Sequence, residues 1–168
     1  IFHFTSFAKE SMLKLIYKNY LLFILVLVGT FSYFDRFVFA LALEPIKQDL
    51  QLSDSQLGLM TGFAFAFFYS VAGIPIARWA DRGNRPTIAA AATGLLGVMV
   101  SLSGLVNNFV QLLLVRVGIA VGESGTVPVA HSLISEYFDR AERPRAMSIL
   151  AMSFSISMVF GYLVGGRR

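Results

Sequence analysis

The chain has 168 residues, 56% of them hydrophobic and 14% charged, with a mean hydropathy of +0.68, a balance that excludes an ordinary soluble domain and places it among membrane proteins. Cys is absent, which excludes disulfides, thiolate metal sites and thiol nucleophiles. The net charge of +4 is carried by short segments beside apolar runs, the pattern of membrane topology rather than of a nucleic-acid surface, so no nucleic-acid partner is expected.

Apolar runs at about 20–43, 56–78, 87–106, 109–133 and 146–166 are long enough to cross a bilayer and predict five transmembrane helices. Lysines precede the first run and resemble the start of a signal peptide, but hydrophobicity continues to Leu43 without a small-x-small cleavage site. The connection 44–55 contains Pro45 and ends in Ser53-Asp54-Ser55-Gln56, whose Ser and Gln three apart predict a capping box at the start of the second helix. Residues 78–86 join the second and third runs, Asn107-Asn108 turns the chain into the fourth, and 139–145 lead to the fifth.

Lys9, Lys14, Lys18, Arg78, Arg82, Arg85, Arg140, Arg143 and Arg145 fall on one side, against Lys47, Arg167 and Arg168 on the other. The positive-inside rule then places the N-terminus in the cytoplasm of a multi-pass protein of the cell membrane. Arg167 and Arg168 contradict that rule, and the first residue is Ile1, with Met12 as a candidate initiator. The sequence is therefore expected to be a piece of a longer protein.

Asp35, Arg36, Arg116 and Glu123 interrupt the apolar runs. A charge near the middle of a membrane helix costs roughly 2.5 to 3.5 kcal/mol, so such residues pair, face water, or move protons or substrate. Counting from Leu21 at about 1.5 Å per residue puts Asp35 about 21 Å from the inner face of a hydrocarbon layer roughly 30 Å thick. Arg116, on the oppositely directed fourth helix, falls at the same depth, and an Asp35–Arg116 ion pair is expected if the two helices touch. Arg116 and Glu123 are seven residues apart, within about 20° of one helical face, and are expected to line one cavity. In Gly122-Glu123-Ser124-Gly125 small neighbours leave space around the carboxylate, Pro128 is expected to loosen the backbone, and Glu123 is a candidate proton carrier. The plainer alternative is that these charges only lock helix to helix. Gly58 and Gly62, Gly73 and Ala77, Gly118 and Gly122, and Gly161 and Gly165 are each four apart, a spacing expected at close helix contacts.

The segment Ala77-Arg78-Trp79-Ala80-Asp81-Arg82-Gly83-Asn84-Arg85-Pro86 resembles the cytoplasmic signature of the major facilitator superfamily, Gly-x-Leu-x-Asp-Arg-x-Gly-Arg-Arg/Lys, between its second and third helices. Asp81 and Arg85 are the critical matches. Ala77, Trp79, Asn84 and Pro86 depart from it, and Asn84 is expected to take the bend because Asn tolerates the left-handed region. Tyr33-Phe34-Asp35-Arg36, Leu52-Ser53-Asp54-Ser55-Gln56-Leu57-Gly58, and the run from Arg116 through Gly122-Glu123-Ser124 are similar to Spinster-type transporters, whose eukaryotic members move lysophospholipids and sphingosine phosphate. Gly161-Tyr162-Leu163-Val164-Gly165-Gly166 resembles the fifth-helix glycine motif of the superfamily without its Pro.

The resemblance implies an all-α membrane protein whose five helices form most of the N-terminal six-helix half of a major facilitator fold, with the sixth helix and the C-terminal half missing from this chain. It implies alternating access for a lysolipid or small-molecule anionic substrate, with protons as the coupling partner, the lipid bilayer as surroundings, and no cofactor or metal. Asp35, Arg36, Arg116 and Glu123 would couple protonation or substrate binding to conformational change. Asp81, Arg82, Arg85 and Glu136 would form a cytoplasmic gate.

Three other readings compete. A proton-linked organic-anion symporter of the same superfamily shares a Tyr-x-Asp-Arg first-helix motif, and Arg36 and Arg116 suit a carboxylate or a phosphate equally. A noncatalytic assembly partner is a second. Gly122-Glu123-Ser124-Gly125 also matches the Gly-x-Ser-Gly of rhomboid-like intramembrane serine hydrolases, with His131 following. Ser124 and His131 on one helix, however, are separated by about 10.5 Å of rise, far beyond the roughly 3 Å a nucleophile and base need.

Overall fold

The computed structural model of the protein describes residues 2–165, with side chains described for 12–80 and 82–164. Its elements are α1 (Phe2–Asp49), α2 (Asp54–Gly58), a π-helical turn (Leu59–Ala64), α3 (Phe65–Arg82), α4 (Arg85–Ser103), α5 (Phe109–Tyr137) and α6 (Arg143–Gly165). Helix α2, the π turn and α3 run on as one rod. Five helical segments are thus long and apolar enough to cross a membrane: Met12–Asp49, Asp54–Ala80, Arg85–Ser103, Phe109–Tyr137 and Arg143–Val164.

Three of the connections are tighter than the sequence suggests, whereas 104–108, between α4 and α5, is longer than the expected Asn107-Asn108 turn. Helix α1 does not end at Pro45 but continues through it to Asp49; proline removes one backbone donor and strains one turn, and here that turn is exposed at the end of the span. The helix stops where Gln51 takes a left-handed φ of 51°, while the Leu50 N–H donates to Ile46 O at 3.0 Å and the Leu52 N–H to Lys47 O at 2.9 Å, closing the last carbonyls. The Ser53–Gln56 capping box is present: the Gln56 N–H donates to Ser53 Oγ at 3.2 Å and the Ser53 N–H to Gln56 Oε1 at 2.9 Å. Only Gly83 and Asn84 separate α3 from α4. Asn84 does not take the expected left-handed bend. Its backbone is extended, with φ −78° and ψ 102°, and its side chain accepts from the Thr87 N–H, because an N-cap satisfies an orphan donor while Pro86 in the first turn lacks one. Asn108 caps α5 in the same way, accepting from the Gln111 N–H at 2.9 Å.

Helix α5 is the centre of the bundle. It packs on α4, α3 and α1, and α6 packs chiefly along α1. Lipid chains are as apolar as Leu, so these contacts depend on close van der Waals fit and interhelical hydrogen bonds rather than on hydrophobic expulsion from water. Gly118, Gly122 and Gly125 provide the fit against α4: a Cβ on Gly122 would lie 3.0 Å from Ala92 O and Leu96 N. Along the α1–α6 seam, Ser157 Oγ donates to Thr30 O at 2.7 Å and Ser153 Oγ to Val26 O at 3.2 Å. Gly161 meets Phe37. The expected contact at Gly58 and Gly62 is absent among the described residues, since none of these lies within 4 Å of either Cβ position; the two glycines belong to the π-turn region, where glycine relaxes the backbone instead of admitting a helix. The side chain position of Gly165 and all of Gly166, Arg167 and Arg168 lie outside the described residues.

Candidate functional site

Two ion pairs tie α1 to α5 inside the bundle. Arg116 Nη1 donates to Asp35 Oδ2 at 3.1 Å. Arg36 Nε donates to Glu123 Oε2 at 2.8 Å, and Arg36 Nη2 contacts the same oxygen. The antiparallel helices explain the pattern. Arg116 and Glu123 are separated by about 10.5 Å of rise, whereas Asp35 and Arg36 are adjacent; the Cα–Cβ bond of Arg36 tilts toward the N-terminus of α1, so its long side chain reaches back to Glu123.

The environment of the pairs is unequal. Arg116 is 6% exposed and Glu123 2%, while the Arg36 side chain is 43% exposed. Arg116 Nε and Glu123 Oε1 are buried with no hydrogen-bond partner among the described residues. The Arg116 guanidinium lies 3.6 Å from the Phe39 ring centroid and 5.7 Å from that of Phe65. Arg36 is surrounded by Phe65 at 5.0 Å, Tyr69 at 5.9 Å and Tyr33 at 6.0 Å. Ring faces attract cations most strongly where water is excluded, so this aromatic shell offsets part of the desolvation cost incurred by Arg116 and by the buried carboxylates' partners.

A cavity of about 770 Å³ opens beside the second pair, lined by Arg36, Glu123, Tyr33 and Tyr69 at one end and by apolar residues of α1, α4, α5 and α6 along its length, with Thr93, Thr126 and His131 among them. Arg116 does not share this lining with Glu123, as its position on the same helical face had suggested. Phe39 and Phe65 cover its guanidinium instead. Helix α5 runs on through Pro128, from Phe109 to Tyr137, and Ser124 and Thr126 hydroxyls donate to Val121 O and Glu123 O at 2.7 and 2.8 Å. Ser124 is 1% exposed, with Gly73 against its Cβ, so it presents no nucleophile.

At the arginine-rich end of the bundle, Arg85 Nη1 meets Glu136 Oε2 at 3.0 Å and joins α4 to α5. The Asp81 side chain lies outside the described residues, and Arg82 is exposed with no ion pair among them. Lys18 donates to Glu142 at 2.7 Å and lies 3.4 Å from Asp139, fastening α1 to the α5–α6 connection. That hydrogen bond from Lys18, followed by the Asp139 N–H, holds the Glu142 carboxyl below its ordinary value of 4.5.

The charged residues that stand out in the sequence do not point to the aromatic shell of Tyr33, Phe39, Phe65 and Tyr69. Phe65 and Tyr69 are one turn apart and stacked at 6.1 Å, so their i, i+4 spacing was a usable signal. The partner of Arg36 had no comparable one, because only the reach of its side chain selects Glu123.

The Major Facilitator Superfamily model matches residues 25–167 of the chain. An "MFS-type efflux pump" of Mycolicibacterium smegmatis is 40% identical over 85% of this chain and 33% of its own length. A protein of Escherichia coli named "Probable L-galactonate transporter" is 27% identical over 80% of this chain and 30% of its own. Among solved structures, a bacterial homologue of the human lysosomal transporter Spinster, inward-facing and occupied, superposes with a TM-score of 0.84 at 42% identity, covering 89% of this chain and 32% of that one. The chain thus spans about a third of the length of the relatives it matches. With its five apolar helices and the match along most of its length, the chain belongs to the major facilitator superfamily of membrane transporters and is Spinster-like within it.

Proposed function

We propose that the chain is the N-terminal part of a secondary active transporter that moves a lipid-like or organic anion by alternating access, driven by protons, with its N-terminus in the cytoplasm. The observation that carries this reading is the Arg36–Glu123 pair, which lines the cavity while the orphaned Glu123 Oε1 faces no partner among the described residues. A proton taken at Glu123 removes the negative charge that holds Arg36. The guanidinium, the exposed member of the pair, then turns its fork of donors to the carboxylate or phosphate of the substrate. The apolar length of the cavity accepts a hydrocarbon tail. Asp35–Arg116, sealed under Phe39, holds α1 against α5 until protonation or substrate lets Arg116 exchange partners. Arg85 and Glu136, with Asp81 and Arg82 nearby in sequence, form the cytoplasmic gate that breaks when the transporter opens inward.

Uptake into liposomes bearing the complete transporter tests this. Asp35→Asn and Arg116→Ala should each abolish pH-dependent uptake, and wild-type rates in both would rule the mechanism out. Offering lysophospholipid and a sugar acid in parallel separates a lipid carrier from an organic-anion symporter, because only the former needs the apolar length of the cavity.

A further inference from the structure

The second span carries the one π-helical turn among the described residues, and that turn decides where Phe65 sits. Each π bond encloses one residue more than an α bond, so the helix beyond the turn is advanced by one residue, about 100° of phase at 3.6 residues per turn. Within the turn Thr61 Oγ1 donates to Leu57 O at 2.7 Å, and among the described residues nothing lies within 4 Å of the Cβ positions of Gly58 and Gly62. The result is that Met60, 0% exposed, stays in the cluster with Leu52 and Leu112 while Phe65 faces both arginines, 5.0 Å from Arg36 and 5.7 Å from Arg116.

Two arginines and two carboxylates admit more than one pairing. Both observed pairs cross between helices. Arg116 and Glu123 share a face of α5 about 10.5 Å of rise apart, so a pair between them would need both side chains extended along that helix and would release α1. We propose that Phe65, delivered by the π turn, is the positioning residue that selects the cross-helix pairing by holding both guanidinium groups on its ring. Its consequence for transport rests on the coupling role proposed above; the positioning itself does not.

The test is solvent exchange of the Arg36 and Arg116 guanidinium protons, read by nitrogen-15 NMR on the chain in lipid nanodiscs, with no transport involved. Three fluorines on the Phe65 ring withdraw its negative face with little change of shape and should speed exchange at both arginines about 2- to 5-fold. Phe65→Leu should speed both further, and Phe65→Tyr should leave both slow. Deleting Thr61 removes the one extra residue, so the turn closes as an α-helix with Phe65 in its present phase, and exchange should stay slow at both arginines. If the Leu variant does not fold, the fluorinated chain decides. Exchange within twofold of wild type at both arginines on fluorination, or acceleration at one alone, overturns the proposal. Faster exchange at both arginines in the Thr61 deletion overturns the part assigned to the π turn. Loss of pH-dependent uptake in Phe65→Leu with unchanged exchange would likewise defeat the positioning role while sparing the transporter reading.

Discussion

Gly122→Ala measures how much the bundle depends on the approach of α4 to α5. The added Cβ would stand 3.0 Å from Ala92 O and Leu96 N and 3.1 Å from Leu96 Cα, all backbone atoms of α4 that no rotamer change can move aside. Forcing a methyl into such a contact costs about 1 to 3 kcal/mol. Ala is also favoured over Gly inside a helix by about 1 kcal/mol, so the loss must be judged against a glycine without neighbours. Gly94 serves, since nothing lies within 4 Å of its Cβ position. The propensity gain cancels between the two variants, leaving a difference of about 1 to 3 kcal/mol, or about 2 to 12 °C in Tm for a chain of this size. Gly118→Ala should fall between them, because its obstacle is the flexible Met99 side chain. Heating each variant in detergent and measuring the surviving folded fraction by size exclusion provides the comparison. A Gly122→Ala Tm equal to or above that of Gly94→Ala would refute this account of the seam.

The buried pair predicts a strongly non-additive cycle. Asp35→Ala leaves Arg116, 6% exposed, without its carboxylate and should cost about 3 to 5 kcal/mol, whereas the double variant Asp35→Ala, Arg116→Leu should recover most of that; additive Tm losses would mean that the two residues do not act as a pair. The Lys18–Glu142 bond predicts a pH dependence of definite sign. The Glu142 carboxyl is lowered by Lys18 and the Asp139 N–H, so its contribution is present above its ordinary value of 4.5 and is lost as pH falls through the lowered folded value. Amide exchange over 139–142 at pH 7 should therefore be faster in Lys18→Met than in wild type, with the two converging in acid; equal protection at pH 7 would show that the bond holds nothing.

Much of the fold was legible because membrane spans need length and apolarity, and five runs supply both. Helix ends were less so: Pro45 reads as a break, yet an exposed final turn tolerates it, and Asn84 reads as a bend but serves as a cap. The Asp35–Arg116 contact could be anticipated since depth in a bilayer converts residue counts into height. The Arg36–Glu123 contact could not, because a long side chain spans two turns that counting assigns to different levels. Seven-residue spacing put Arg116 and Glu123 on one face but could not show that Phe39 closes one off from the cavity. The π turn left only a faint trace in Gly58, Thr61 and Gly62, which read equally well as a packing motif.

The central claim is that Glu123 exchanges a proton in step with an anionic substrate. Liposomes bearing the complete transporter, with a pH-sensitive dye inside, report proton entry when lysophospholipid or sugar acid is added outside. The account predicts substrate-evoked proton movement in the wild type and none in Glu123→Gln. Proton movement in Glu123→Gln at the wild-type rate would contradict it.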